Sequence, residues 1–340
     1  MNVLIVGAGA VGQVYGRHLA LGGAHVYYFV REKYAAECRR GFTFYPLDRR
    51  KPRAAPVRMS VAPGDILTRL DEVEAITFDQ VYLCVASHQL RGPWLGELAA
   101  VIGDATVVSL QPGSEDRDVI LAAVPAERLV SGMITVISYH APLAGETVPE
   151  PGMAYWFPPL QPAPFSGPRV RTRAVVDALR AGKQPAKVHR DVPAFVRYPS
   201  ALLMVLLTAL EREGWSFRQL AGSESLRSVR AATLEAFAII EAAHGTRAPR
   251  LLRMIARPFF VRRIMTAARW MMPLDVETYF RVHFTKVREQ TRMFMQAYIE
   301  QGTKLGRPTD GLRALEDALD HRAPPGDGDR RGVTAHRAGP

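Results

Sequence analysis

The first half of the chain alternates short apolar runs with amphipathic stretches. Residues 2–6 (Asn-Val-Leu-Ile-Val) read as a largely apolar strand, and Gln13–Leu21 has helical spacing. The alternation continues through a strand at Ala24–Val30 and a short helix at Glu32–Arg40, ended by Gly41. Phe42–Tyr45 and Val57–Val61 read as a hairpin, joined by the basic, Pro-rich stretch Leu47–Pro56. Strands follow at Gln80–Val85, Thr106–Leu110 and Leu129–Ser138, separated by helices at Trp94–Ile102 and Asp116–Ala123. Residues 141–168 are rich in Pro and Gly, with one strand at Ala154–Phe157. A helix at Val170–Ala181 and a last strand at Ala186–His189 close this half.

The texture changes from about Pro193. Long helical patterns run over Ser200–Glu213, Ser225–Ala243, an arginine-rich pair, Val276–Gln301 and Gly311–Leu319. The predicted fold class is therefore α/β: a doubly wound, mostly parallel sheet over residues 1–190, then an all-helical domain over 191–320. Residues 321–340 hold Gly, Pro, Arg and Asp with almost no apolar side chain, and are expected to be a disordered tail. In doubly wound sheets ligands bind beyond the carboxyl ends of the strands. The loops at Gly7–Gly12, Arg31, Ala86–Gln89 and Gln111–Gly113 are expected to meet there.

The loop after the first strand is Gly7-Ala8-Gly9-Ala10-Val11-Gly12. Its place between strand and helix is the context in which a G-x-G-x-x-G pattern signals a dinucleotide site. Gly7 allows the tight turn, Gly9 leaves room for a pyrophosphate, and Gly12 lets helix and strand pack closely. The helix N-terminus offers amides and a favourable dipole to the phosphates. The second strand ends Tyr28-Phe29-Val30-Arg31-Glu32-Lys33. An acid at its end would bind a ribose 2′-hydroxyl; Arg31, with Lys33 nearby, suits a 2′-phosphate instead. The cofactor expected is NADP(H), with Glu32 starting the next helix and pointing away.

Composition adds bounds. The chain has 340 residues, 48% hydrophobic and 23% charged, enough for two domains. Cys38 and Cys84 are the only cysteines, so no disulfide framework is expected and a reducing, cytoplasmic setting fits. No signal peptide is expected ahead of the first strand, and the apolar run Ala201–Leu210 is too short to span a bilayer. A net charge of +11 suits anionic ligands. Much of it lies between Glu241 and Asp275, where no acid occurs and Arg247, Arg250, Arg253, Arg257, Arg262, Arg263 and Arg269 alternate with Leu251, Ile255, Phe259, Ile264 and Trp270. Such a stretch reads as an amphipathic hairpin with solvated arginines, or as a contact for a membrane surface or a nucleic acid. No nucleic-acid partner and no metal are expected.

Three stretches stand out together: Val3–Ala20 with Arg31 and Gly41-Phe42; Val81–Leu90; and Gly302-Thr303-Lys304-Leu305-Gly306-Arg307-Pro308-Thr309. In them the chain resembles the ketopantoate reductase (2-dehydropantoate 2-reductase) family, the last stretch being similar to its Gly-x-x-x-Gly-x-Pro-Thr segment. The resemblance implies an N-terminal Rossmann-like NADP-binding domain, a helical C-terminal domain, a cleft between them that takes a small carbonyl substrate, and a homodimer as one option. It implies cofactor contacts at Gly7, Ala8, Gly9, Ala10, Val11, Gly12, Arg31, Lys33, Ser87, Gln89, Gln111 and Gly113.

The departures lie around the substrate. Ala86 stands where the family has a lysine, and Gln111-Pro112-Gly113 where it has Asn-Gly. The family's catalytic lysine falls near Arg197 or Tyr198, and its substrate-binding glutamate at Gln290. Arginine holds its proton too tightly to donate it. His283, Lys286 and Gln290 are spaced i, i+3 and i+7 and are expected on one helical face, with Thr278 upstream. Lys286 and His283 are the candidate acid–base groups; Gln290, Thr278 and Arg197 are candidate substrate contacts. His88 and His140 are further candidates, with structural roles as the alternative. Two functions fit: an NADP-dependent reductase of a 2-oxo acid or similar carbonyl, and a non-catalytic NADP-binding sensor or partner-binding protein.

Overall fold

The computed structural model describes residues 1–47, 55–111 and 113–320. The expected tail, Pro112 and most of the Leu47–Pro56 connection lie outside the described residues. The chain starts with β1 (Asn2–Val6), α1 (Ala10–Leu21), β2 (His25–Phe29), α2 (Glu32–Cys38), β3 (Phe42–Pro46) and β4 (Val57–Met59). It continues with β5 (Ile66–Leu67), α3 (Leu70–Glu74), β6 (Gln80–Leu83), α4 (Trp94–Val101), β7 (Thr106–Ser109), α5 (Ser114–Leu121) and β8 (Leu129–Gly132). β9 (Ile137–Ala141), β10 (Gly152–Trp156), β11 (Ala163–Ser166), α6 (Arg169–Ala181) and β12 (Ala186–Val188) follow.

The main sheet has eight strands in the order β12-β11-β8-β7-β6-β1-β2-β5. Its pairs are parallel except β11 with β8. Both faces are covered, as suits the largely apolar β1. Val3 and Ile5 join the core beneath α1 and α6, with Val14, Leu19 and Val175; Leu4 and Val6 join the core beneath α4, with Leu95 and Leu98. Each fully buried Val or Leu contributes about 1.5–3 kcal/mol of transfer free energy, so slipping β1 by one residue would exchange its two faces.

Three strand expectations need correction. The stretch Leu129–Ser138 is not one strand. It is β8 in the main sheet and β9 in a second sheet of order β4-β3-β10-β9. The hairpin β3–β4 forms as expected, but β3 pairs in parallel with β10, Met153 beside Phe44, and so leaves the main sheet. β5 and β11 were not anticipated: β5 is two residues long, and β11 contains Pro164 within a turn-rich stretch. One face of the second sheet, through Phe42, Phe44, Met153 and Tyr155, packs towards α1. Its other face, through Tyr45, Tyr139 and Ala154, meets Tyr279 of the helical domain.

That domain comprises α7 (Val192–Arg212), α8 (Phe217–Leu220), α9 (Ser223–His244), α10 (Arg250–Ile255), α11 (Pro258–Met271), α12 (Val276–Lys286), α13 (Arg288–Lys304) and α14 (Asp310–Asp320). α7 begins eight residues before the predicted start. Asp191 caps it by accepting from the Ala194 amide at 3.0 Å, Pro193 fits the first turn, and the helix continues through Pro199. At this length α7 is long and apolar enough to cross a bilayer, contrary to the reading from Ala201–Leu210; half of its apolar window is buried, in the core it shares with α9, α13 and α14. The predicted helix Val276–Gln301 is two helices, broken at Val287 (φ −111°, ψ 22°).

The Gly302–Thr309 segment is an architectural feature. A Cβ on Gly302 would lie 2.5 Å from Thr309 Cγ2 and 2.7 Å from Ile239 Cδ1. Gly306 has φ +61°, where α13 turns towards α14.

Candidate active site

The glycine loop sits at the carboxyl end of β1. Gly7 has φ +95°, and its amide donates to the Phe29 carbonyl at 3.0 Å, tying the ends of β1 and β2 together. A Cβ on Gly12 would lie 2.0 Å from the Gly7 carbonyl oxygen. The fold itself therefore requires these two glycines. Gly9 differs: a Cβ there would meet nothing within 4 Å. It precedes the first turn of α1, where Ala10 and Val11 lie, and Gln13 Nε2 steadies the loop by donating to the Ala8 carbonyl at 2.8 Å. The bare backbone at Gly9 and the amides of a helix N-terminus form a cradle that fits a pyrophosphate.

Past β2, Arg31 immediately precedes α2, and Glu32 is exposed in the first helical turn. The Arg31 guanidinium lies 5.1 Å from the centroid of the Tyr34 ring and donates to its hydroxyl at 3.2 Å. Lys33 Nζ lies 5.0 Å from the same ring. The result is an exposed tyrosine with two cations over its ring, a cluster suited to a phosphate. Tyr34 was not singled out from sequence; its i+3 spacing from Arg31 was the available signal.

The loops after β6 and β7 hold themselves. Gln89 Oε1 accepts from the Ala86 amide at 3.1 Å. Gln111 Nε2 donates to the carbonyls of Leu83 (2.9 Å) and Val85 (2.8 Å), while its Oε1 accepts from Ser109 Oγ and the Leu110 amide. Gln89 thus binds its own loop, while Gln111 ties the loop after β7 to the end of β6. Ser87 is buried and its amide donates to Gln290 Oε1 on α13 at 3.4 Å. A Cβ on Gly113 would lie 2.8 Å from Phe294 Cε1, also on α13. The start of α13 therefore closes over the carboxyl ends of β6 and β7. Asp116, fully buried with Oδ1 3.4 Å from Arg91 Nη1, belongs to this junction. It was missed because Ser-Glu-Asp-Arg reads as an ordinary solvated helix start.

The α12–α13 joint lies between the second sheet and these loops. The Tyr279 ring on α12 lies 5.9 Å from that of Tyr139 on β9, and Arg288 at the start of α13 pairs with Glu211 of α7 at 2.6 Å. Because the helix breaks at Val287, His283 and Lys286 do not share one continuous face with Gln290, as the i, i+3, i+7 spacing had predicted. Lys286 is exposed and acts electrostatically on His283 and on His140 of β9. His283 lies against Tyr279 (5.2 Å, stacked) and Phe284 (4.8 Å, edge-on). Burial, and then the charge of Lys286, push its pKa down to about 4, so it is neutral at pH 7 and outside the range expected from sequence for proton exchange.

Other candidates are engaged elsewhere. Thr278 Oγ1 donates to Asp275 Oδ2 at 2.9 Å, within the cap of α12. Tyr198 turns into the helical core, bonded to Thr246 Oγ1 (2.8 Å) and edge-on to Phe237. Arg197 lies near His244, whose pKa is lowered by burial and by that arginine. His88 is exposed on its turn.

Residues 3–147 match the family model described as "Ketopantoate reductase PanE/ApbA". The matched span holds the glycine loop, Arg31 and the loops after β6 and β7; the helical residues lie beyond it. Among solved structures, a D-mandelate dehydrogenase with NADH and anilino(oxo)acetate aligns over 94% of this chain and 97% of its own, at 14% identity and TM-score 0.71. A PanE/ApbA family ketopantoate reductase from Ralstonia eutropha JMP134 aligns over 94% and 97%, at 18% identity and TM-score 0.70. A 2-dehydropantoate 2-reductase from Geobacter metallireducens GS-15 aligns over 94% and 99%, at 14% identity and TM-score 0.66. At these identities the likeness is one of fold, and it extends through the helical domain. No curated protein sequence matches the chain.

Proposed function

We propose that the protein is an NADP(H)-dependent reductase of a small 2-oxo acid or a similar carbonyl compound. The observation that carries this reading is the open backbone at Gly9. Gly7 and Gly12 are demanded by packing, but a side chain at Gly9 would touch nothing in the protein, so glycine there leaves room for a ligand. Arg31 and Lys33 beside Tyr34 favour a 2′-phosphate over a bare ribose. The PanE/ApbA match and the NADH-bound D-mandelate dehydrogenase support a nicotinamide dinucleotide in this fold.

When bound, the nicotinamide supplies a hydride to the carbonyl carbon. The chain must orient the substrate and stabilise charge developing on the carbonyl oxygen. Lys286 is the cation of its cluster, since the pKa values of His140 and His283 are both depressed. It holds the substrate carboxylate or delivers the proton to the carbonyl oxygen. His283 acts as a neutral, aromatic-packed wall. Gln290, already bonded to the Ser87 amide, contributes an amide from the other side of the joint. Thr278, held in the cap of α12, takes no part in this reading, and Arg197 is a secondary substrate contact.

A second reading, nucleotide binding without turnover, is favoured by one observation: the side chains of Gln89 and Gln111 are already engaged with the backbone of the loop after β6. Titration of NADPH and NADH, followed by turnover on 2-oxo acids of graded size, separates the two. The reductase reading expects NADPH to bind at least about tenfold tighter than NADH. It also expects Lys286→Ala to raise the KM for the acid, with NADPH affinity unchanged. Equal affinity for the two cofactors overturns the NADP reading. Tight NADPH binding with no turnover on any acid establishes the second.

A further inference from the structure

The arginine-rich pair α10–α11 takes no part in the proposed chemistry, and its surface is unusual in both charge and apolarity. Around α11, Val261 and Met265 are buried, with Ala268 and Met272 packed beside them. The opposite line is Phe259, Arg263, Thr266 and Trp270, with Phe259 61% and Trp270 83% exposed. Exposed Ile264 and Met271 form one flank of that line; exposed Arg262 and Arg269 form the other. Leu251 and Met254 extend the exposed apolar surface onto α10. On the basic flank, Arg218, Arg262 and Arg269 line a groove of about 560 Å³ together with Phe217, Met265 and Trp270; Arg262 Nη2 donates to the Ala221 carbonyl at 2.9 Å, and Arg269 Nε lies 3.9 Å from Glu277 Oε2.

No acidic residue occurs between Glu241 and Asp275. Arg253 pairs with Glu241 at 2.6 Å and Arg269 lies 3.9 Å from Glu277, but Arg250, Arg257 and Arg263 have no acid within the stretch, so a second copy of the chain would bring two uncompensated basic faces together. A nucleic acid would use the arginines but would leave Leu251, Ile264 and Met271 without a partner. An anionic bilayer uses both. Aromatic and aliphatic tips enter the headgroup region, while guanidinium groups stay with the lipid phosphates.

We propose that the α10–α11 face lies on an anionic lipid bilayer, with lipid phosphate held along the groove edged by Arg218, Arg262 and Arg269. The test is flotation of the full chain with phosphatidylcholine vesicles, with and without phosphatidylglycerol, alongside Trp270 fluorescence. Binding is expected only with phosphatidylglycerol, with a blue shift that is missing in Trp270→Phe. Replacing Arg218, Arg262 and Arg269 by Gln is expected to weaken partitioning roughly a hundredfold. Phe259→Ser with Trp270→Ser is expected to weaken it at least about tenfold, at an unchanged circular-dichroism melting curve. Failure to bind anionic vesicles at low salt overturns the proposal. So does binding that ignores the apolar pair, or a concentration-dependent dimer that Trp270→Ser abolishes.

Discussion

Two glycines three residues apart answer to different masters. A Cβ on Gly12 would strike the Gly7 carbonyl at 2.0 Å, whereas one on Gly9 would meet open space. Gly12→Ala is therefore expected to destabilise the fold by about 3 kcal/mol or more, read by urea unfolding. Gly9→Ala is expected to leave stability within about 0.5 kcal/mol, while NADPH affinity measured by fluorescence titration falls at least about tenfold. Unchanged NADPH binding in Gly9→Ala would remove the basis for the cradle. These positions stand out in the sequence because the motif is local; packing gives Gly12 a steric reason and Gly9 none. Tyr34 and Asp116 were not. One is a surface aromatic whose role depends on where its neighbours' cations lie, and the other is a buried carboxylate in a helix start that looks solvated.

Among the elements, the joint at Val287 matters most for the site. It separates a helix that leans on the second sheet from one that closes over β6 and β7. The aromatic packing around His283 stabilises this arrangement in a pH-dependent way. Its folded pKa, about 4, lies below the ordinary value of 6.5, so the unfolded chain binds more protons between the two. The contribution is fully present above pH 6.5 and is lost as pH falls towards 4. Between pH 7 and pH 5 the loss is about 1–2 kcal/mol, discounted for partial exposure. Urea unfolding of His283→Gln is expected to show that much less sensitivity over this interval than the parent protein; equal slopes would refute it. The joint itself was invisible in the sequence, because apolar periodicity runs across Val287 without a glycine or proline to mark it. The early start of α7 was hidden for the opposite reason: Pro193 and Pro199 read as breakers, yet one fits a first helical turn and the other is absorbed.

At the scale of the whole molecule, the two domains meet where Gly113 touches Phe294 and Ser87 meets Gln290. Gly113→Ala inserts a methyl group 2.8 Å from Phe294 Cε1 and is expected to wedge the junction open. NADPH affinity is expected to fall at least about fivefold, and Phe294→Ala in the same chain to recover most of it, in a double-mutant cycle read by titration. Simple additivity of the two substitutions would show that the junction does not reach the cofactor site. The division into a sheet domain and a helical domain was readable from periodicity alone. The division of the strands into two sheets was not, since each strand's own pattern says nothing of which distant strand it will join.

That second sheet has a consequence for how the protein is made. β3 finds its parallel neighbour only when β10 exists, and β9 must first cross over from β8. On the ribosome, Phe44 emerges early and waits, apolar and unpaired on one edge, until Met153 has been synthesised. The interval is a window for misfolding and for chaperone contact, set by pairings distant along the chain rather than by any local weakness.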